Sequence, residues 1–206
     1  MILLASIKRL AKKGTGRRRP DDPQVLVRAP NPQTYLFGDN GIIPNHPRWP
    51  LVIYKDTLRL PEQFDPAAVF EELFGSHGWG GSWRDGVYDY VHYHSRIHEV
   101  LGVARGSGRV RFGGDNGRAL NLKAGDVAIL TAGTGHQCLK ASNDFLVVGA
   151  YPASGAYDEC TSREDREKAL PAIERVPRPR QDPVYGKNGP LVRIWAPRSH
   201  RQSRGG

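Results

Sequence analysis

Two histidines two residues apart, His92 and His94, are followed by His98 and Glu99 in a stretch bounded by Gly86 and Gly106. On a β-strand this spacing points His92 and His94 to one face, about 6.6 Å apart at ~3.3 Å rise per residue. The four residues from Ser95 to His98 are enough for a tight reversal that returns the Glu99 carboxylate opposite the two imidazoles. Two imidazoles and one carboxylate form a ligand set for a divalent metal, and such a set calls for a fourth ligand further along the chain. His136, at a strand start just after a glycine-rich turn, supplies it. His98 faces away from the set if its strand is regular; otherwise it replaces His92 or His94 as ligand, or supports one from behind.

Strands and turns must position these side chains. The 24 glycines and 16 prolines favour an all-β, turn-rich body over a helical one. Short apolar runs punctuated by turn residues occur at Val25–Val27, Thr34–Phe37, Gly41–Ile43 and Leu51–Tyr54. Further strands are predicted around Val110–Phe112, Ala119–Leu122, Val127–Leu130, 136–140 and 145–151, with a hairpin turn at 113–117. One helix is expected after Asp65-Pro66, carrying the apolar stripe Val69, Phe70, Leu73 and Phe74 and stopping at Gly75. A second starts at the capping-box-like Ser162…Asp165, and Pro171 should interrupt it. Strand parity puts Tyr88 and Tyr90 on the side of His92 and His94, and Cys138 and Lys140 on the side of His136, so these four are candidate pocket residues.

At this point the residues resemble a known family. Gly86, His92, His94, Glu99 and Gly106 fall at every fixed position of the first cupin motif, and Gly125, Gly133 and His136 are in register with the second. Thr131 stands where a proline is usual and Lys140 where an asparagine is usual, which bears on loop rigidity and pocket shape rather than on the metal. The stretches Phe37–Gly41 with Ile43–Asn45, Gly149–Pro152 and Asp182–Gly186 make the chain similar to the bacterial YjlB-type cupins over most of residues 24–195. The resemblance implies a double-stranded β-helix, a jelly-roll barrel with a metal held inside near one mouth by His92, His94, Glu99 and His136. It also makes a homodimer an expected assembly.

The net charge of +9 lies at the ends: residues 1–20 carry +7, residues 161–206 carry +6, and the stretch between them is −4. A nucleic-acid face on the fold is therefore disfavoured. The organisation expected is a basic N-terminal tail over 1–23, a short amphipathic helix at most, then a barrel over 24–160. A short helix and an extended C-terminal tail over 161–206 complete it, with Trp195 docking back on the body and His200–Gly206 disordered. Two cysteines do not make a disulfide scaffold, and no window reaches membrane length, so a cytoplasmic protein with no membrane partner is expected.

Neutral imidazoles and one carboxylate leave a divalent metal (Fe, Mn, Zn or Ni) with net positive charge and open positions for a small molecule. Iron would allow oxygen activation; manganese, zinc or nickel would polarise a carbonyl for isomerisation. A non-catalytic metal- or small-molecule-binding barrel uses the same ligands. No general base is identifiable from the sequence: Glu99 is committed to the metal, and Lys140 is the only other charged candidate on the pocket face.

Overall fold

The computed structural model describes residues 18–197. The readings for a basic helix over the first twenty residues and for disorder after His200 fall outside these residues, apart from Arg18–Pro20. There Arg18 exchanges backbone hydrogen bonds with Gln63 and Asp65.

Among the described residues, nine strands form two antiparallel sheets. They are β1 (Pro32–Tyr35), β2 (Leu51–Tyr54), β3 (Trp79–Asp85), β4 (Glu99–Arg105), β5 (Ser107–Phe112), β6 (Arg118–Lys123), β7 (Val127–Leu130), β8 (His136–Ala141) and β9 (Leu146–Pro152). The large sheet runs β1-β2-β7-β4-β9-β3 and the small one β6-β5-β8. This is the all-β, double-stranded architecture that the cupin resemblance implies.

Period-two alternation divides the large sheet into two apolar faces. Val52, Val100, Val127 and Val148 point outward, to a layer made by helix α1 (Pro66–Ser76) and by Val184, Leu191 and Trp195 of the C-terminal segment. Leu51, Leu101, Ala128 and Val147 point inward, against Val110, Phe112 and Leu122 of the small sheet. The odd-numbered side chains of β4 therefore face the space between the sheets. Glu99 opens that series.

Helix α1 begins as its sequence requires: the Asp65 carboxylate accepts from the Ala67 amide, and Pro66 occupies the first turn. It passes Gly75 and ends at Ser76, where Gly78 turns the chain with φ of 77°. Helix α2 (Arg163–Ile173) has the expected capping box between Ser162 and Asp165. It runs through Pro171 instead of breaking, because that proline lies in the last turn and frees only the carbonyl of the exposed Glu167.

Other expectations need correction. Val25–Val27 is no strand: Pro23–Leu26 is a 3-10 turn, capped by the Asp22 carboxylate on the Gln24 amide. Gly41–Ile43 is no strand either, since the Asn40 side chain takes the amides of Ile42 and Ile43 that a ladder would need. Strand β3 was hidden by its glycines, and its pairing to β9 slips between Gly80 and Trp83. The C-terminal segment is not simply extended: it folds into α3 (Pro190–Ile194) and lies over the large sheet. Trp195 docks as expected, fully buried, its Nε1 donating to the Pro50 carbonyl at 2.9 Å and its ring stacked 5.7 Å from Trp49.

Candidate metal centre

The segment that carries His92 and His94 is extended but belongs to neither sheet. His92 and His136 exchange backbone hydrogen bonds of 3.2 and 2.9 Å, and Tyr93 and Cys160 do the same at 3.0 and 2.9 Å. The segment is thus held between the start of β8 and the strap at residues 156–160. Alternation along it puts Tyr88, Tyr90, His92 and His94 in one row, with successive ring centroids 4.9, 5.6 and 5.6 Å apart. Tyr93 turns the other way and is buried beside Cys160 and Ile173.

Three histidines from two parts of the chain meet in this row. One ring nitrogen from each of His92, His94 and His136 lies within 4.8 Å of the other two, and all three residues are buried. In each ring Nδ1 faces a backbone carbonyl: Tyr90 at 3.4 Å, Asp158 at 2.5 Å and Thr134 at 3.1 Å respectively. A proton held on Nδ1 leaves the Nε2 lone pair free, which is the tautomer a metal requires. Glu99 Oε2 stands 3.4 Å from Nε2 of both His94 and His136, buried and without a hydrogen-bond partner among the described residues. A buried carboxylate oxygen that faces two imidazole nitrogens at 3.4 Å, without a well-formed hydrogen bond to either, is a place where a cation would be satisfied. The residues therefore fit a divalent metal.

The electrostatics agree with that donor set. Burial, reinforced by the neighbouring His92 and His94, holds His136 well below the ordinary imidazole range. Burial and the facing His94 lower His92 as well. His94 moves the other way: burial opposes its charge, but the Glu99 carboxylate and the Asp158 carbonyl outweigh burial and raise it. Two imidazoles at least are neutral, and so able to act as ligands, at neutral pH.

The other predicted site residues separate. Tyr88 and Tyr90 lie beside His92, at 5.1 and 5.6 Å between ring centroids. Cys138 pairs with Val110 across the small sheet, two residues along from the pair His136–Phe112, so it shares their inward face. Lys140 does not. The β5–β8 register shifts between Arg109 and Val110, so Leu139 is an extra residue and Lys140 pairs with the outward Arg109. It is exposed on the outer face of the small sheet and not in the pocket, where strand parity had placed it.

His98 also lies away from the row, on the outer side of β4. Its Nδ1 accepts from the Ala132 amide at 2.9 Å, and its ring packs 4.9 Å from Trp195. Burial pushes it down to about 3. Thr131, in place of the usual proline, bonds Thr134 through the two hydroxyls at 2.7 Å and so closes the turn before His136 by other means.

Sequence reasoning missed the strap. Tyr157 lies 5.0 Å from His94 between ring centroids, and Tyr151, on the inward face of β9, lies 6.2 Å from it. Asp158 accepts from Ser95 and Arg96 amides at 2.9 and 3.2 Å, and both oxygens of Glu159 accept phenolic protons, from Tyr90 at 2.9 Å and Tyr157 at 3.2 Å. The signal available was the polar and aromatic run Tyr157-Asp-Glu-Cys160, a few residues after the last strand. Burial first, then nearby carboxylates, raise Tyr90 and Tyr151 and push Tyr157 up to about 12, so these phenols stay protonated.

No protein-family model matches the chain. It is 43% identical over 164 residues to "Uncharacterized protein YjlB" of Bacillus subtilis (strain 168), covering 79% of this chain and 96% of that one. Partial structural overlaps exist with a double-stranded β-helix protein of Klebsiella pneumoniae (17% identity, 71% of this chain, 98% of that chain, TM-score 0.33). An oxalate decarboxylase overlaps at 14% identity and TM-score 0.32, with 66% of this chain spanning 29% of that one. The acireductone dioxygenase of Bacillus anthracis overlaps at 18% identity and TM-score 0.31, over 43% of this chain and 62% of that one.

Proposed function

The chain belongs to the YjlB family of cupins, and from that premise we propose that it is a metal-dependent enzyme acting on a small organic molecule, with oxygenation as the reaction class. His92, His94, His136 and Glu99 would hold the metal, and a redox-active metal such as iron would supply oxygen activation there. The observation that carries this reading is the convergence of three imidazoles, each with Nδ1 turned to a carbonyl, on a buried and unpartnered carboxylate oxygen.

Two features favour oxygenation over isomerisation. An isomerase needs a protein base poised near neutral pH. Here Lys140 points away, the phenols stay protonated, and the strap carboxylates are engaged, Asp158 by Ser95 and Arg96 and Glu159 by Tyr90 and Tyr157. The rim is also aromatic: Tyr90 and Tyr157 are 42% and 52% exposed beside the histidines. Such rings offer a stacking surface for a planar substrate, while Tyr88 and Tyr151 line the wall behind it.

Oxygen consumption by iron-loaded protein tests this. Turnover is expected with at least one member of a panel of catechols, thiols and keto acids. No uptake above the buffer rate with any of them would overturn the oxygenase reading in favour of a metal-dependent isomerase or a non-catalytic metal-binding barrel.

A further inference from the structure

The Phe37–Asn45 stretch ends in a residue that grips the turn leading to His136. Asn45 is 2% exposed and has a φ of 50°, a left-handed conformation that asparagine tolerates better than most residues. Its Nδ2 donates to the carbonyls of Gly38 and Gly113 at 2.8 and 3.2 Å, and its Oδ1 accepts from the Gly135 amide at 3.3 Å. Its backbone amide donates to the Gly133 carbonyl at 3.0 Å. Asn45 therefore bonds the residues on both sides of Thr134, whose carbonyl holds Nδ1 of His136. The same turn is tied onward: the Gly133 amide donates to the His94 carbonyl, and the Gly113 amide to the Gly135 carbonyl, both at 2.7 Å.

Close packing leaves this clamp no slack. A methyl group on Gly113 would stand 2.5 Å from the Phe37 ring, and one on Gly135 would stand 2.6 Å from Ile43. A groove of about 400 Å³ lined by Phe37, Pro44, Asn45 and Ile173 lies behind it. Asn45 itself contributes none of the four candidate ligands.

We propose that Asn45 is a positioning residue of the metal centre: by fixing the Gly133–Gly135 turn against Gly113, it sets where the His136 imidazole stands relative to His92, His94 and Glu99. The proposal rests on the metal-centre reading above. Outer partners that orient ligands typically change metal affinity by about 10–100-fold when removed.

The test compares wild type with Asn45→Gly, Asn45→Asp and His136→Ala. Each is measured for Co(II) dissociation constant, Co(II) absorption spectrum and metal-free melting temperature. Asn45→Gly relieves the positive φ and keeps the backbone bond to Gly133, so only the side-chain clamp is lost. It is expected to fold and to bind Co(II) at least ~10-fold more weakly with a changed spectrum. Asn45→Asp keeps the acceptor for Gly135 but turns a carboxylate oxygen toward the carbonyls of Gly38 and Gly113, so it too should bind Co(II) more weakly than wild type.

A lower melting temperature with wild-type Co(II) affinity and spectrum would overturn the proposal, as would failure of both Asn45 variants to fold. If Asn45→Gly alone fails to fold, wild-type affinity and spectrum in Asn45→Asp overturns it. Wild-type protein that binds no Co(II), or His136→Ala that binds it equally well, would instead overturn the metal centre and the proposal with it.

Discussion

At the scale of residues, the donor set and its surroundings make different demands on each side chain. Glu99 is buried, and its Oε2 faces the imidazoles of His94 and His136 at 3.4 Å without a hydrogen-bond partner among the described residues. Glu99→Gln keeps the shape and removes the charge; its loss of metal affinity should exceed the ~10–100-fold typical of outer partners. Lys140→Ala, on the outer face of β8, should bind metal as wild type does; isothermal titration of the two variants checks both. The candidate ligands were legible in the sequence because a metal would demand particular residue types at particular spacing. Lys140 was misplaced because parity fails at a bulge, and a bulge at Leu139 leaves no mark in the residues themselves. Tyr157 and Glu159 were missed because a strap that returns from the end of the last strand is a matter of chain path, not of local pattern.

At the scale of elements, what brings the candidate ligands together is a set of short connections rather than long strands. His92 reaches His136 through one bridge, and Glu99 opens β4 on its inward face. Helix α1 was legible from its cap and stripe, whereas β3 was obscured by glycines and the Gly41–Ile43 run by the competing Asn40 side chain. Behind β4, Trp195 joins the C-terminal segment to Trp49 and to His98, the residue next to Glu99. Trp195→Ala should lower unfolding free energy by about 3–5 kcal/mol, as large-to-small changes at fully buried aromatics do, measured by urea denaturation. A change below about 1 kcal/mol would mean that the segment is not integral to the fold.

At the scale of the whole molecule, the protein is a β-barrel whose two sheets bury one apolar layer between them and a second under α1 and the C-terminal segment. Among the described residues no helix is long and apolar enough to cross a membrane. Stability should depend on pH through His46, whose Nδ1 accepts the Arg48 and Trp49 amides. Burial, aided by Arg48, pushes its value down to about 4. Between about pH 6.5 and 4 the unfolded chain binds a proton there that the folded chain refuses. Stability contributed by this residue is therefore present above pH 6.5 and falls on acidification, by about 1.4 kcal/mol per pH unit. Urea unfolding at pH 7, 6 and 5 should show a shallower decline for His46→Asn, which keeps an acceptor; parallel declines would contradict the assignment. A metal centre at His92, His94, His136 and Glu99 should be visible in the protein as it is purified. Elemental analysis of freshly purified protein should find about one divalent transition-metal ion per chain in wild type and close to none in His136→Ala. Wild-type protein free of metal, or His136→Ala carrying as much as wild type, would contradict it.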